Sequence, residues 1–480
     1  MRARAFGVSL STTMWLAGCM VGPDYVSPET ATPATFGELR PQAPLQPAHS
    51  EAVAEGTPAG WWVSFGDEQL TAIVARAVEA NLTLQQAEAR VREARASDQI
   101  AAADLWPQIG ASGSYTRVRT SKNGPGALKP GHWYDLFFAG FDANWELDVF
   151  GGNRRAVEAA DASLEATERD RDAVLVSLLG EVGLEYVTYR SLQQRIALTE
   201  RNLDAQQKTL ELTQRLFGAG LAPELDVQRA AAQVATTAAA IPPLEEQAAQ
   251  ALHGLAVLTG AMPMMLAPEL AATKPIPTPP PQVAVGLPSE LLLRRPDVAR
   301  AERQLASQTA EIGVATRDLF PRFFLSGVGG LQSIKSKDFF EWESLATSFG
   351  PSVTWPIFQG GRIKANIAFQ TEAQKELLAA YREAVLVAFQ DVEDALVAFS
   401  RQQAARDRLA DSVTANKRAS ELARNLYAQG LTDFLTVLVA EENLLTSQDS
   451  LARTERDVAL ALIALYKALG GGWQVASGSP

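Results

Sequence analysis

The chain has 480 residues, 47% of them hydrophobic and 20% charged, with a formal net charge of -12. That acidic balance argues against nucleic-acid binding, which needs clustered cations. A single cysteine rules out a disulfide framework and any multi-cysteine metal centre. The three histidines, His49, His132 and His253, lie far apart, so no metal and no cofactor is expected. Beyond a short N-terminal stretch there is no run of about 18 apolar residues, and a transmembrane helix is not expected.

The N-terminus reads as an address. Arg2 and Arg4 precede a mostly apolar or small stretch, Ala5 to Leu16, which leads into Leu16-Ala17-Gly18-Cys19. A secretory signal ends in such small residues. Leu-Ala-Gly-Cys also matches the bacterial lipobox, whose cysteine takes a diacylglycerol and becomes the new N-terminus. Residues 1–18 are therefore read as a lipoprotein signal peptide and Cys19 as the lipidation site; the alternative is a plain secretory signal with a chance cysteine. Each buried CH₂ of an acyl chain adds roughly 0.8 kcal/mol of membrane affinity. Met20 follows the cysteine, and by resemblance to bacterial lipoproteins a residue other than Asp there favours outer-membrane sorting. Loss of the two arginines takes the mature charge to about -14.

The remainder is one unit written twice. Leu105-Trp106-Pro107 returns as Leu319-Phe320-Pro321, and Phe150-Gly151-Gly152-Asn153-Arg154 as Phe358-Gln359-Gly360-Gly361-Arg362. Leu216-Phe217-Gly218-Ala219-Gly220-Leu221 returns as Leu426-Tyr427-Ala428-Gln429-Gly430-Leu431, and Leu258-Thr259-Gly260 as Leu469-Gly470-Gly471. The offsets are 214, 208, 210 and 211 residues. The expected division is an irregular N-terminal segment over 19–60, a first repeat over 61–260, a Pro-rich linker over 261–288, a second repeat over 289–470 and a short tail over 471–480.

Each repeat reads helix, two strands, then two long helices. The first helices are expected over Glu68–Asp104 and Ser289–Asp318, each stopped by a proline. Strands are expected over Gln108–Arg119, Phe137–Asp148, Arg322–Ser333 and Leu345–Ile357. Phe137, Phe141 and Trp145 alternate with Gly140, Asp142, Asn144, Glu146 and Asp148, which is period two. All four strands are long enough to cross a membrane when tilted, and their polar face should line water with a negative character. After each Gly-Gly, Pro and Gly pairs are absent from Arg154 to Phe217, and apolar steps of three and four mark a coiled-coil seam. Gly220 and Gly430 should turn each long helix into an antiparallel return helix. Pro242-Pro243 should kink the first return helix, while the equivalent Ala452-Arg453 should not kink the second.

Four amphipathic strands cannot close, and an open edge in lipid leaves backbone groups unpaired. Since membrane barrels begin at about eight strands, a spanning sheet requires a dimer or a trimer.

The lipobox, Gly22-Pro23-Asp24-Tyr25, Trp145-Glu146-Leu147-Asp148-Val149-Phe150-Gly151, Leu293-Arg294-Arg295-Pro296-Asp297-Val298 and the two glycine turns resemble the TolC-type outer-membrane efflux family. The lipidated branch, similar to OprM and the NodT-type proteins, fits best, and the likeness covers nearly the whole mature chain. The resemblance implies a mainly α fold with a β-barrel part: a homotrimer with a 12-stranded barrel in outer-membrane lipid, four strands per subunit, continued by an α-helical tunnel into the periplasm. It implies a passive exit duct, not an enzyme. Its partners would be a periplasmic adaptor and an inner-membrane pump energised by protons or ATP, with the RND type preferred. By motif position it carries Arg215, Leu216, Gly220, Leu221, Asn425, Tyr427, Gly430 and Leu431 as adaptor-docking or tip candidates. OprM-like relatives place a leucine and, four residues on, an aspartate at the gate. Here those positions hold Leu435 and Val439, with Asp226, Asp433, Glu441 and Glu442 as nearby acidic candidates that could equally be solvated charges. Arg294 and Arg295 are expected to pair with carboxylates. The competing reading is a periplasmic coiled-coil adaptor lipoprotein without a barrel; an envelope hydrolase finds no nucleophile elbow, metal cluster or P-loop to support it.

Overall fold

The computed structural model describes residues 20–39, 51–53, 60–123, 131–286 and 288–475. Cys19 and the signal segment lie outside them. The described residues divide into two units: those within 20–28, 92–165 and 302–379 form the first, and those within 29–91, 166–301 and 380–475 the second.

The first unit holds four strands, β1 (Gln108–Arg119), β2 (Trp133–Leu147), β3 (Arg322–Ser333) and β4 (Leu345–Thr354). They form one antiparallel sheet in that order, so β1 and β4 are its edges. The first and third strands have the expected bounds; the second begins four residues earlier and the fourth ends three earlier. Directly paired residues share a face. Ile109, Ala143, Gly327 and Phe349 thus stand in one row, and Ala111, Phe141, Gly329 and Thr347 in the next, placing the aromatic and aliphatic side chains together. Phe141 and Phe349 remain 66% and 76% exposed. Gly140 and Gly330 are opposite each other, and a Cβ on either would meet the partner backbone at 2.6–2.7 Å, so the two strands approach closely there. The repeat is visible in side-chain bonds: the Trp145 indole N–H donates to the Leu105 carbonyl (2.9 Å), and that of Trp355 to the Leu319 carbonyl (3.1 Å).

The negative polar face expected from Asp142, Asn144, Glu146 and Asp148 is corrected by the arginines around it. Glu146 accepts from Arg317 (3.2 Å) and from Arg322 Nε (3.0 Å). Asp148 accepts from the backbone N–H groups of Asn153 and Arg154 at the start of the helix that follows β2 and pairs with the Arg154 side chain. Those two carboxylates are neutralised locally, because the strand-to-helix junction has backbone donors to satisfy.

Met20 to Pro28 is tied down in the same unit. Val21 N–H donates to Phe150 O (3.1 Å). The fully buried Arg155 donates to Val21 O (3.1 Å) and to Asp24 (2.6 Å). Gly22, at φ 90°, lies so near Gly313 that a Cβ would come within 2.4 Å of its Cα. Tyr25 and Ser27 both donate to Glu302 Oε1 (3.0 and 2.9 Å). The Gly-Pro-Asp-Tyr motif is therefore a strap, not an irregular wrapping.

The helices are α1 (Glu68–Ala80), α2 (Leu82–Ala103), α3 (Gly152–Gly218), α4 (Glu224–Ala239), α5 (Ile241–Leu258), α6 (Pro288–Arg294), α7 (Pro296–Arg317), α8 (Arg362–Ala428) and α9 (Phe434–Ala468). Both long helices, α3 and α8, have 67 residues, about 100 Å each at 1.5 Å per residue. Two single helices expected from the sequence are broken. Asn81 stands extended between α1 and α2, where its side chain accepts from Leu84 N–H (2.9 Å) and donates to Leu258 O (2.9 Å). At Arg295 the helix breaks between α6 and α7, because Pro296, the first residue of α7, lacks the N–H that a continuous helix would use. As expected, the first return helix is divided just before Pro242-Pro243, at Ala240, whereas α9 runs unbroken for 35 residues.

The second unit is built on a core in which Trp61 stacks on Tyr466 (5.5 Å) among Leu70, Ile73, Leu179 and Leu255. Asp67 caps α1 and accepts from the Tyr186 hydroxyl (2.7 Å). Arg295 has the carboxylate partners expected of it, Asp297 (2.7 Å) and Asp391 (2.9 Å), and Arg294 pairs with Glu290 (2.8 Å).

The strap responds to acid through Glu302. Burial pushes this carboxyl up, but the Ser27 hydroxyl, the Arg303 guanidinium and the Tyr25 hydroxyl together outweigh it and hold it below its ordinary value of 4.5. A depressed carboxylate stabilises the folded state fully above its unfolded value and loses that contribution as pH falls through the folded one. Hydrogen exchange of the Val21–Ser27 amides, corrected for intrinsic rates, should show constant protection at neutral pH and progressive loss as the pH falls below 4.5 through the lowered value of Glu302. Glu302→Gln should remove most of that pH dependence.

Candidate functional site: the paired helical turns

Within the second unit, α3 turns into α4 and α8 into α9 by the same backbone device. Gly220 and Gly430 both have φ 72°. Gly220 N–H donates to Phe217 O (2.9 Å) and Leu221 N–H to Leu216 O (2.8 Å); Gly430 N–H donates to Tyr427 O (2.9 Å) and Leu431 N–H to Leu426 O (2.9 Å). Each is a Schellman turn, which satisfies carbonyls that the helix end would orphan. No heavy atom lies within 4 Å of a Cβ built on either glycine, so the glycines answer to backbone conformation, not crowding.

The turns are dissimilar below that shared frame. Tyr427 is buried and packs edge-on against Phe434 (5.4 Å), with Ala230, Ala423 and Val437 completing a small separate core. Burial pushes its phenol up. Leu216 is partly buried against the same core. Arg215, Leu221, Asn425 and Leu431 are exposed, the two leucines by 75% and 68%. Of the eight expected tip residues, Tyr427 and Leu216 thus serve to pack the turns, while the exposed four and the glycines form their surface.

The gate candidates separate in the same way. Leu435 and Val439 lie four residues apart on one face of α9, each 47% exposed. Asp433 is exposed and caps α9, accepting from Thr436 N–H (2.9 Å); this bond and that of the Thr436 hydroxyl (2.6 Å) hold its carboxyl below the ordinary range. Glu442 is exposed and Asp226 half-buried. Glu441 is not a solvated charge: it is 5% exposed, accepting from Arg424 Nε (2.6 Å) on α8 and from the Thr209 hydroxyl (3.0 Å) on α3. The spacing of acidic residues in the sequence could not separate these roles, because Arg424 and Thr209 lie far from Glu441 along the chain. A buried carboxylate of this kind joins three helices, and removing it strands a guanidinium. Glu441→Ala should lower stability by about 2 kcal/mol in thermal unfolding, with hydrogen exchange accelerated near Thr209 and Arg424 more than in the Trp61–Tyr466 core.

A sequence profile described as outer membrane efflux protein matches the chain twice, over residues 73–261 and 287–471. Nodulation protein T of Rhizobium leguminosarum bv. trifolii is 32% identical over 463 residues, covering 96% of each chain. The pyoverdine export outer membrane protein OpmQ of Pseudomonas aeruginosa is 35% identical over 419 residues, covering 86% of this chain and 87% of its own. The solvent efflux pump outer membrane protein SrpC of Pseudomonas putida is 32% identical, covering 96% and 97%. Among solved structures, the outer-membrane channel OprN superposes with a TM-score of 0.89 at 35% identity, covering 95% of this chain and 100% of that one. Two long helical hairpins, a four-stranded open-edged sheet and a twice-matching profile place this chain in the outer membrane efflux protein family, whose members act as outer-membrane channels for export.

Proposed function

We propose that three copies of this chain assemble their four-stranded sheets into one 12-stranded barrel in the outer membrane. Together they form the exit duct of a tripartite efflux system. The observation that carries this reading is the sheet itself, whose strands alternate in polarity while β1 and β4 each pair on one side only. Lipid offers no partner for the outer backbone groups of those edges, and a copy of the same chain does. Eight strands from a dimer would also close; the TolC-type resemblance favours twelve. A barrel-free adaptor would have no use for such a sheet.

In this reading Cys19 carries the lipid anchor. The strap from Val21 to Ser27 then fixes where the acylated end meets the first unit. The exposed residues of the turns, Arg215, Leu221, Asn425 and Leu431, dock a periplasmic adaptor, which connects the duct to an inner-membrane pump of RND type. Leu435 and Val439 project as successive apolar rings around the axis and close the resting duct by excluding water. Pyoverdine and solvent appear in the names of two relatives of similar identity. The pump therefore selects the cargo and the duct passes it.

Native mass spectrometry of the detergent-extracted protein reports stoichiometry and the mass on Cys19 together. A triacylated trimer is expected; an unlipidated monomer would overturn both the barrel and the anchor. Gly430→Val tests the turn. A β-branched residue at φ 72° is strained, so export should fall severalfold in a compound-susceptibility assay while the trimer persists. Normal export would remove the turn from the docking surface.

A further inference from the structure

The turn that follows α5 has a chemistry that neither the barrel nor the hairpins use. The sequence there is Ala261-Met262-Pro263-Met264-Met265, and three of the chain's six methionines stand in those five residues. All three are exposed, Met262 by 74%, Met264 by 56% and Met265 by 68%. They therefore contribute little as packing. Met265 N–H donates to Met262 O (3.2 Å), closing a four-residue turn with Pro263 second and Met264 third.

Met264 has φ 73° and is the only positive-φ residue other than glycine among the described residues. A turn with proline second and a positive φ third is of type II, and its third position belongs to glycine. A long side chain here strains the backbone, and such outliers cluster where a ligand is held. The Met264 thioether turns back onto α5, where its Sδ is 3.3 Å from Nε2 of the half-buried His253.

We propose that His253 and Met264, with Met262 and Met265 supplying further thioethers from the same turn, form a binding site for a soft monovalent cation of the Cu(I) and Ag(I) class. Imidazole and thioether are the donors that such d¹⁰ ions favour, and hard cations avoid sulfur. The observed N···S separation suits the role. With the roughly 2.1 Å nitrogen and 2.3 Å sulfur bonds of zinc sites as a guide, one ion touching both atoms would subtend about 100°, near the tetrahedral angle. The site uses no carboxylate and no cysteine.

The test uses the full chain in detergent, with Cu(I) buffered by a competing chelator under reductant and with Ag(I) in chloride-free buffer. One ion per chain should bind beyond any taken up by Cys19, whose share the Cys19→Ser variant measures. The triple variant Met262→Leu, Met264→Leu, Met265→Leu and the single variant His253→Gln should each weaken binding by at least about tenfold. Met264→Gly removes the thioether and relieves the backbone, so it should lose affinity without losing thermal stability; this separates ligation from folding. Equal affinity in wild type and the triple variant would overturn the site. Uptake of Zn(II) at the same affinity as Ag(I) would overturn its assignment to a soft cation.

Discussion

Peptide groups along the outer sides of β1 and β4 have no hydrogen-bond partner within the described sheet, and in hydrocarbon each such group costs several kcal/mol. That cost governs the rest of the molecule. It makes the subunit incomplete by itself and sets the strand count by closure between copies. It also explains why the sheet survives the insertion of a 67-residue helix between its second and third strands: β2 and β3, separated by the whole first pair of hairpin helices in sequence, still pair through eleven residues from Phe137 to Leu147. Long-range pairing of this kind is slow to form. The close glycine contact between Gly140 and Gly330 lies within that pairing, while the indole bonds of Trp145 and Trp355 tie the strand ends to the residues that precede β1 and β3.

Much of this was legible from the sequence because the signals are local and repeated. Period-two alternation located β2 and β4 to within a few residues, the Gly- and Ser-rich stretches after Pro107 and Pro321 gave β1 and β3 their bounds, and the two glycine turns were readable from their surroundings alone. The misses have a common physical origin. Asn81 and Pro296 divide helices that apolar spacing joins, since a side-chain cap and a missing N–H act at one residue while periodicity averages over many. Glu146 and Glu441 looked like free acids because their partners are remote in sequence, Arg317 and Arg322 for the first and Arg424 and Thr209 for the second, whereas Asp148 is held by the nearby Asn153 and Arg154 only once the chain turns from strand to helix. The Met264 turn is silent in the sequence for a different reason. Its thioethers match no histidine, cysteine or carboxylate spacing, and no sequence pattern announces a positive φ at methionine.

The charged groups that proved structural share one arrangement. Arg155, Arg295 and Glu441 are buried, and each holds partners from segments distant in sequence. A buried ion in a long helical protein is costly unless every arm finds a partner, and apolar stripes alone would let 100 Å helices slide by a turn. Such pairs supply registration that hydrophobic contact does not, with Arg155 fixing the strap and Glu441 fixing α3, α8 and α9 near their turns.

The two halves of the chain are alike in backbone and unlike in detail. One hairpin is interrupted at Ala240 and carries Arg229 where the other carries Val439; the second is continuous and capped by Asp433 where the first has Pro223. A ring of identical chains therefore presents two kinds of hairpin in alternation, and its true rotational order is the number of chains, half the number of hairpins. Any collar that abuts every hairpin must either be made of two kinds of contact or use one module in two non-equivalent poses. Duplication gave this protein its near-doubled symmetry; divergence of the two halves has since reduced it, and that mismatch is available for a partner to read orientation.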